Sequence, residues 1–91
     1  MTHTIKIYED YIEPILKGDK NFEVRENDRG YQKGDLIKFK PEGRYTLHTF
    51  SDLADNIAAK TYEITYVHSG LGLEKGYVVF GIKEVQDANP D

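Results

Sequence analysis

Three charged residues of both signs stand close together in one short segment of this chain. Lys20, Glu23 and Arg25 follow the turn-forming pair Gly18-Asp19. A carboxylate beside two cations can act as a general base, help to shape a binding site, or form a structural ion pair. The spacing leaves all three uses open, because the same residue types also occur on solvated strands with weak surface ion pairs.

Alternation of residue type predicts that two of these charges lie on a strand. Phe22 and Val24 alternate with Glu23 and Arg25, so an extended chain places the apolar pair on one face and the charged pair on the other. We expect the apolar pair to enter the core and the charged pair to face a cleft, with alpha carbons roughly 6.5 Å apart. Lys20 shares that cleft only if it belongs to the preceding turn.

The string Gly-x-Lys-x-x-Glu-x-Arg, formed here by Gly18, Lys20, Glu23 and Arg25, resembles the signature of the ASCH domain. The resemblance covers most of residues 3–84. It also includes two later segments, Lys33-Gly34-Asp35 and Gly76-Tyr77-Val78-Val79-Phe80-Gly81-Ile82. It implies a PUA-like fold, which is a small β-barrel with flanking helices, and a cleft lined by the signature residues.

The pattern of the remaining residues predicts an α+β domain in which about five strands form an open or closed mixed barrel with one N-terminal helix. Ile5 and Ile7 should point inward from the first strand. The helix after that strand contains Pro14, which is tolerated within a first turn, so we expect the helix to begin nearer Tyr11 or Glu13 than Glu9.

Three later strands complete the predicted sheet. A strand over residues 36–40 should turn its alternate apolar residues inward. A long strand should run from Ala58 toward His68 with its even-numbered face in the core, Lys60 excepted. The last strand is apolar on both faces, which indicates a central position. The inward residues of the first and last of these strands are Ile37, Phe39, Val78, Phe80 and Ile82.

Residues 41–56 lack a clear period and predict a long loop with one brief helical turn. Arg44, Tyr45, His48 and Phe50 could offer a cation and stacking groups to a ligand, since long loops in small domains are often functional. The alternative is an ordered loop whose aromatic residues cover one end of the barrel.

Composition narrows the class of protein. Ninety-one residues predict one domain over 1–91, with an ordered core at about 3–84 and a frayed C-terminal tail. The chain has no cysteine, and its three histidines are scattered, so we expect no metal and no cofactor. Without a long apolar run or signal peptide, we expect a cytoplasmic protein that does not enter a membrane. A net charge of −4 disfavours indiscriminate binding to nucleic acid, yet permits a local positive cleft.

Three functions remain open. The leading hypothesis is an RNA-binding or nucleotide-binding module in which the charged cleft over residues 18–29 contacts phosphate or base edges and loop aromatics stack on a base. The residues that we expect to bind are Lys20, Glu23, Arg25, Arg29, Arg44 and Tyr45. Arg29 could instead pair with Asp28 or Glu26.

The second hypothesis is an enzyme, because the resemblance extends to small ASCH amidohydrolases that deacylate acetylcytidine. In those relatives a threonine stands where this chain has Glu23, so catalysis here would use Glu23 as a general base and Lys20 to stabilise the oxyanion. The third hypothesis is a non-catalytic interaction domain or phage accessory domain in which the signature is a buried ion-pair network.

Overall fold

A computed structural model describes residues 1–43 and 48–86, apart from the side chains of residues 48–51. Two helices and five strands succeed one another along the chain. They are β1 (Thr2–Tyr8), α1 (Glu9–Leu16), β2 (Phe22–Glu26), β3 (Leu36–Glu42), α2 (His48–Ala58), β4 (Thr61–Ser69) and β5 (Tyr77–Val85). The expected α+β class and the count of about five strands are confirmed.

The five strands form one mixed sheet in the order β1-β3-β4-β5-β2. β1 runs parallel to β3, whereas the other neighbouring pairs are antiparallel. The expectation of a barrel needs correction, because β1 and β2 are the two edges of the sheet and no backbone ladder joins them in residues 1–43 and 48–86. The sheet is therefore open, and its two edge strands leave room for side chains between them.

The core lies against one face of this sheet and is formed mainly by isoleucine and aromatic residues. Alternation predicted its members correctly in β1, β3 and β5. The inward residues of those three strands are at most 5 % exposed: Ile5, Ile7, Ile37, Phe39, Val78, Phe80 and Ile82. β5 is an interior strand, as its two apolar faces predicted.

Helix α1 begins earlier than its sequence indicated. It starts at Glu9 and contains Pro14 in its interior, where proline removes one backbone hydrogen bond. Ile12 and Ile15 lie on its inner face and are 0 % and 4 % exposed. This burial offsets the local cost, since most helical stability in proteins comes from packing of an apolar face.

Helix α2 replaces most of the long loop that was expected over residues 41–56. It spans His48–Ala58, and Ile57 is fully buried while Leu53 packs partly against the core. These two residues are four positions apart and so share one helical face. Ala58 ends this helix and does not belong to β4, contrary to the prediction.

A β-bulge explains a second difference in β4. Tyr62 and Ile64 are buried as predicted, but Tyr66 is 67 % exposed. The pairing register with β5 shifts between Ile64 and Tyr66, which leaves Thr65 as the extra residue and reverses the facing of the residues after it. Tyr66 lies opposite Gly81, where an added Cβ would stand 2.5 Å from the Thr65 hydroxyl oxygen.

Candidate ligand-binding site

A tight turn after α1 places Lys20 ahead of β2. Gly18 has φ of +83°, a left-handed conformation that glycine adopts without strain. Its N–H donates to the carbonyl of Ile15 at 3.0 Å, and the N–H of Lys20 donates to the carbonyl of Pro14 at 3.0 Å. Lys20 therefore belongs to the turn, and the condition for its sharing a cleft with the strand residues is met.

The prediction for the two faces of β2 is wrong. Phe22 and Val24 are 42 % and 50 % exposed, whereas Glu23 is only 4 % exposed. Glu23 lies directly opposite the buried Phe80 of β5, and directly opposite residues share a face of the sheet. Glu23 and Arg25 consequently lie on the core side of the sheet, at its edge.

An ion network makes the burial of Glu23 possible. One carboxylate oxygen, Oε2, accepts a hydrogen bond from Lys20 Nζ at 2.8 Å. The other oxygen, Oε1, accepts from Arg25 Nε at 3.0 Å and from Arg25 Nη2 at 2.8 Å. A buried charge is tolerated when it is paired and hydrogen-bonded, and this carboxylate meets both conditions.

Two arginines cross the gap between the edges of the sheet. Arg25 Nη2 donates to the carbonyl of Lys6 at 2.6 Å, and Arg29 Nη1 donates to the carbonyl of Thr4 at 2.7 Å. These carbonyls are two residues apart on β1 and point the same way, which spaces them by roughly 6.6 Å. The guanidinium groups thus form a short row along the β1 edge, and the contact of Arg29 is with β1 rather than with Asp28 or Glu26.

A cleft of about 580 Å³ opens beside the ion network, and we call it the aromatic cleft. Its volume lies within the range of small-molecule sites. It is lined by Lys6, Ile7, Tyr8, Tyr11, Lys20, Phe22, Glu23, Val24 and Arg25. Three cations, one carboxylate and three aromatic rings thus line one cleft.

Lys20 joins the ion network to the aromatic border. Its Nζ lies 5.0 Å from the ring centroids of both Tyr11 and Phe22, within the distance of a cation–π contact. It also donates to the carbonyl of Phe22 at 2.8 Å. The ammonium group is therefore held in one place at the mouth of the cleft.

A second cleft of about 320 Å³ adjoins the first, and we call it the arginine cleft. It is lined by Ile5, Lys6, Arg25, Glu26, Asp28, Arg29 and Tyr31. Lys6 and Arg25 line both clefts and so form the boundary between them.

Tyr31 forms the inner wall of the arginine cleft. Its ring lies between His3 and Phe80, with both centroid separations at 4.8 Å. Burial raises the pKa of the Tyr31 phenol, although Arg29 and Arg25 oppose part of that rise. The hydroxyl therefore stays protonated at neutral pH and can donate a hydrogen bond.

The aromatic cleft contains residues that the sequence did not single out. Lys6, Tyr8 and Tyr11 line it because β1 and α1 pass beside the start of β2. The alternation along β1 hinted that Lys6 would be accessible, but its nearness to Arg25 depends on the packing. Arg44 and Tyr45, which we expected to bind, lie outside the described residues, as do the side chains of His48 and Phe50 and the C-terminal residues 87–91.

The described residues also bear on metal binding and on membrane insertion. In the part of the chain that the structure describes, no three histidine or acidic side chains stand close enough to hold a metal ion. None of the described helices is long and apolar enough to cross a membrane.

The geometry is suited to holding an anion more than to proton transfer. Both oxygens of Glu23 already accept charge-assisted hydrogen bonds, so the carboxylate has little capacity left to accept a proton from a substrate. The cations are in excess: within the described residues Arg25 Nη1 and Lys6 Nζ have no protein partner. Two cations at this site therefore keep hydrogen-bond donors that a ligand can use.

The chain belongs to the family described as Domain of unknown function (DUF3850), whose model matches residues 2–82. Among solved structures it is similar to one titled "Crystal structure of hypothetical protein PH0355", with a TM-score of 0.60 and 18 % sequence identity. That match covers 93 % of this chain and 100 % of the other, and at this identity it shows a common fold alone. A comparison with curated proteins gives no match.

Proposed function

We propose that this protein binds RNA or a nucleotide-like ligand in the aromatic cleft. The observation that carries the proposal is the meeting of three cations and three aromatic rings in one concave site of a chain whose net charge is −4. Aromatic faces stack on bases, and lysine and arginine bind phosphate. Glu23 holds Lys20 and Arg25 in place, so the cations are ordered before a ligand arrives.

We also propose that the fold is PUA-like. The signature string resembles that of the ASCH domain, and we assign the open five-stranded sheet to the PUA-like folds as a variant in which Arg25 and Arg29 bridge the unpaired edges. Support comes from the placement of three signature residues, Lys20, Glu23 and Arg25, beside one cleft. Solving a structure of the protein with a bound nucleotide would test the fold and the site together.

The direct test is an NMR titration with nucleoside monophosphates and short single-stranded RNAs. We expect the amide signals of residues 18–25 to shift, and we expect Lys20→Gln and Arg25→Gln to weaken binding. Lys33→Gln is the matched control, because Lys33 is exposed and lines neither cleft. If millimolar ligand leaves residues 18–30 unperturbed, the proposal is wrong.

The dependence of RNA affinity on salt concentration is a second test of the same site. For a single-stranded RNA that meets about three cations, log affinity should fall against log salt with a slope near −2, from roughly 0.7 per phosphate contact. Arg25→Gln should reduce the magnitude of this slope by about 0.7. The Lys33→Gln control should leave the slope unchanged.

Hydrolysis of an acylated nucleoside such as acetylcytidine is the second candidate. The contact between Lys20 and Glu23 at 2.8 Å favours it, since both proposed catalytic groups line one cleft. The hydrogen bonds that both oxygens of Glu23 already accept argue against it. Incubation with acetylcytidine separates the two proposals: cytidine release that depends on both Lys20 and Glu23 would establish hydrolysis.

A structural role for the ion network, as in an interaction domain, is separated by stability. Lys20→Ala and Arg25→Ala should then lower the melting temperature sharply while no nucleotide binds. Under the binding proposal these substitutions also lower the melting temperature, because each leaves the buried Glu23 carboxylate with one cation fewer, but added nucleotide should then raise the melting temperature of the parent chain and raise it less in the two variants.

A further inference from the structure

The two clefts suggest what length of ligand the site takes. This inference rests on the proposed function. The aromatic cleft and the arginine cleft share Lys6 and Arg25, so a ligand that fills both must pass over these two cations. We infer that the site binds a dinucleotide unit of single-stranded RNA, with one nucleoside in each cleft and the connecting phosphodiester at Lys6 and Arg25.

The boundary between the two clefts offers the cationic hydrogen-bond donors that bind a phosphodiester. Arg25 uses Nε and Nη2 to hold Glu23 and the Lys6 carbonyl, and in the described part of the chain its Nη1 hydrogens remain without a protein partner. The Lys6 side chain is exposed at the same point. Arg25 can therefore offer Nη1 to a phosphate while it keeps its hydrogen bonds to Glu23 and to the Lys6 carbonyl.

The arginine cleft fits a nucleoside better than a terminal phosphate. Two carboxylates, Glu26 and Asp28, line it and would repel a phosphate dianion. The same carboxylates can accept hydrogen bonds from the amino and imino groups of a base. Arg29 is fixed by the Thr4 carbonyl, and its planar guanidinium offers a surface on which a base can stack.

If both clefts bind a nucleoside, the order of affinity of mononucleotides and dinucleotides is the opposite of the order that charge alone predicts. A nucleoside 5′-monophosphate carries up to two negative charges, whereas a dinucleoside monophosphate carries one. If attraction to the cations governed affinity, the mononucleotide would bind more tightly. If both clefts are filled, the dinucleotide gains one more stacked base and binds more tightly, by about fivefold or more, which is the low end of the range for one base.

The experiment compares pooled dinucleoside monophosphates with pooled nucleoside 5′-monophosphates by NMR titration of the whole chain. We expect both pools to shift residues 20–25, and the dinucleotides alone to shift residues 26–31 as well. Arg29→Gln should remove the advantage of the dinucleotide while changing mononucleotide affinity by less than about twofold. Tyr31→Phe is a second variant, because it keeps the packed ring and removes only the hydroxyl.

The outcomes separate this inference from the proposed function. Mononucleotides that bind at the aromatic cleft as tightly as dinucleotides, or an Arg29→Gln variant that weakens both pools equally, would overturn the dinucleotide site and leave nucleotide binding in place. Failure of both pools to perturb residues 20–25 would overturn both. Melting temperatures of the two variants close to that of the parent chain show that losses come from contacts and not from unfolding.

Discussion

Two carboxylates organise this molecule, Glu23 at the start of β2 and Asp35 ahead of β3, and their partners differ in kind. Asp35 Oδ2 accepts from His3 Nε2 at 2.8 Å and from the N–H of Gln32 at 3.1 Å, and Oδ1 lies 3.5 Å from the amino group of Met1. Its partners are a ring, a backbone amide and the chain terminus. They tie the start of β1 to the turn before β3.

Glu23 instead holds two long cationic side chains that also line a cleft. Lys20 and Arg25 together have more donors than one carboxylate can accept, and both residues line the aromatic cleft. The contrast shows that an acid with several partners does not by itself mark a site. Glu23 differs from Asp35 because its partners line a cleft and have more hydrogen-bond donors than Glu23 accepts.

Among substitutions of Glu23, Asp35 and Phe22, the largest loss of stability should come from breaking the Glu23 network. Glu23→Gln removes the charge that Lys20 and Arg25 share, and it turns an amide group toward one of these cations. We expect the free energy of unfolding to fall by about 2 to 3 kcal/mol, the range for lost hydrogen bonds to charged groups. Urea denaturation measures this quantity.

Glu13→Gln is the matched control for that measurement. Glu13 forms an exposed pair with Lys17 at 3.7 Å, and such pairs contribute little. We expect a change within about 0.5 kcal/mol. Equal small losses for both variants would show that Glu23 is not the centre of a stabilising network.

Asp35 should give a smaller effect that depends on pH. The hydrogen bond from His3 is the main cause that lowers the pKa of Asp35 below its ordinary value of 3.8. A carboxyl whose pKa is lower in the folded state stabilises the fold above the unfolded-state pKa, and this stabilisation is lost as pH falls through the folded-state pKa. We expect Asp35→Asn to cost about 1.5 kcal/mol at pH 7 and progressively less below about pH 4.

Thermal unfolding of the parent chain and Asp35→Asn across that pH range measures the difference. Asp55→Asn serves as the control, since Asp55 is exposed on α2. A constant difference between the parent and Asp35→Asn from neutral pH to about pH 3 would contradict the linkage.

Phe22 should give the smallest change in stability, although it borders the aromatic cleft. Because it is 42 % exposed, we expect Phe22→Ala to cost about 1 kcal/mol, close to the span of strand preferences. The same substitution at Phe80, which is 1 % exposed, should cost roughly 3 to 5 kcal/mol. Chemical denaturation of the two variants compares them, and similar costs would place Phe22 in the core after all.

Nucleotide affinity should also differ between Phe22→Ala and Asp35→Asn. If the ring stacks on a base, nucleotide affinity should fall by at least about fivefold, in line with the loss of one stacking partner. Asp35→Asn should leave affinity unchanged at neutral pH, because Asp35 lines neither cleft. A loss of affinity in Asp35→Asn alone would show that Asp35, and not Glu23, is the acid that supports binding.

The amino-acid sequence alone indicated which residues of a strand share a face. Alternation in β1, β3 and β5 predicted the buried residues correctly, because the period of a strand is fixed by its backbone. It also predicted that Glu23 and Arg25 share one face of their strand, and the Gly18-Asp19 pair indicated a turn to which Lys20 could belong. Leu53 and Ile57 lie on one face of α2. This single pair of apolar residues was too weak a pattern, among the polar residues around it, to predict a helix.

Contacts between elements, and not the sequence of β2, determine which face of β2 points inward. The alternation of Phe22 and Val24 with Glu23 and Arg25 is the same in either orientation, and pairing with Phe80 of β5 selects the one that buries the carboxylate. That choice is stable because a cation from the turn and a cation from the strand meet Glu23. Likewise the bulge at Thr65 and the open edge of β1 arise from contacts between strands, and such contacts leave no period in the sequence of either strand.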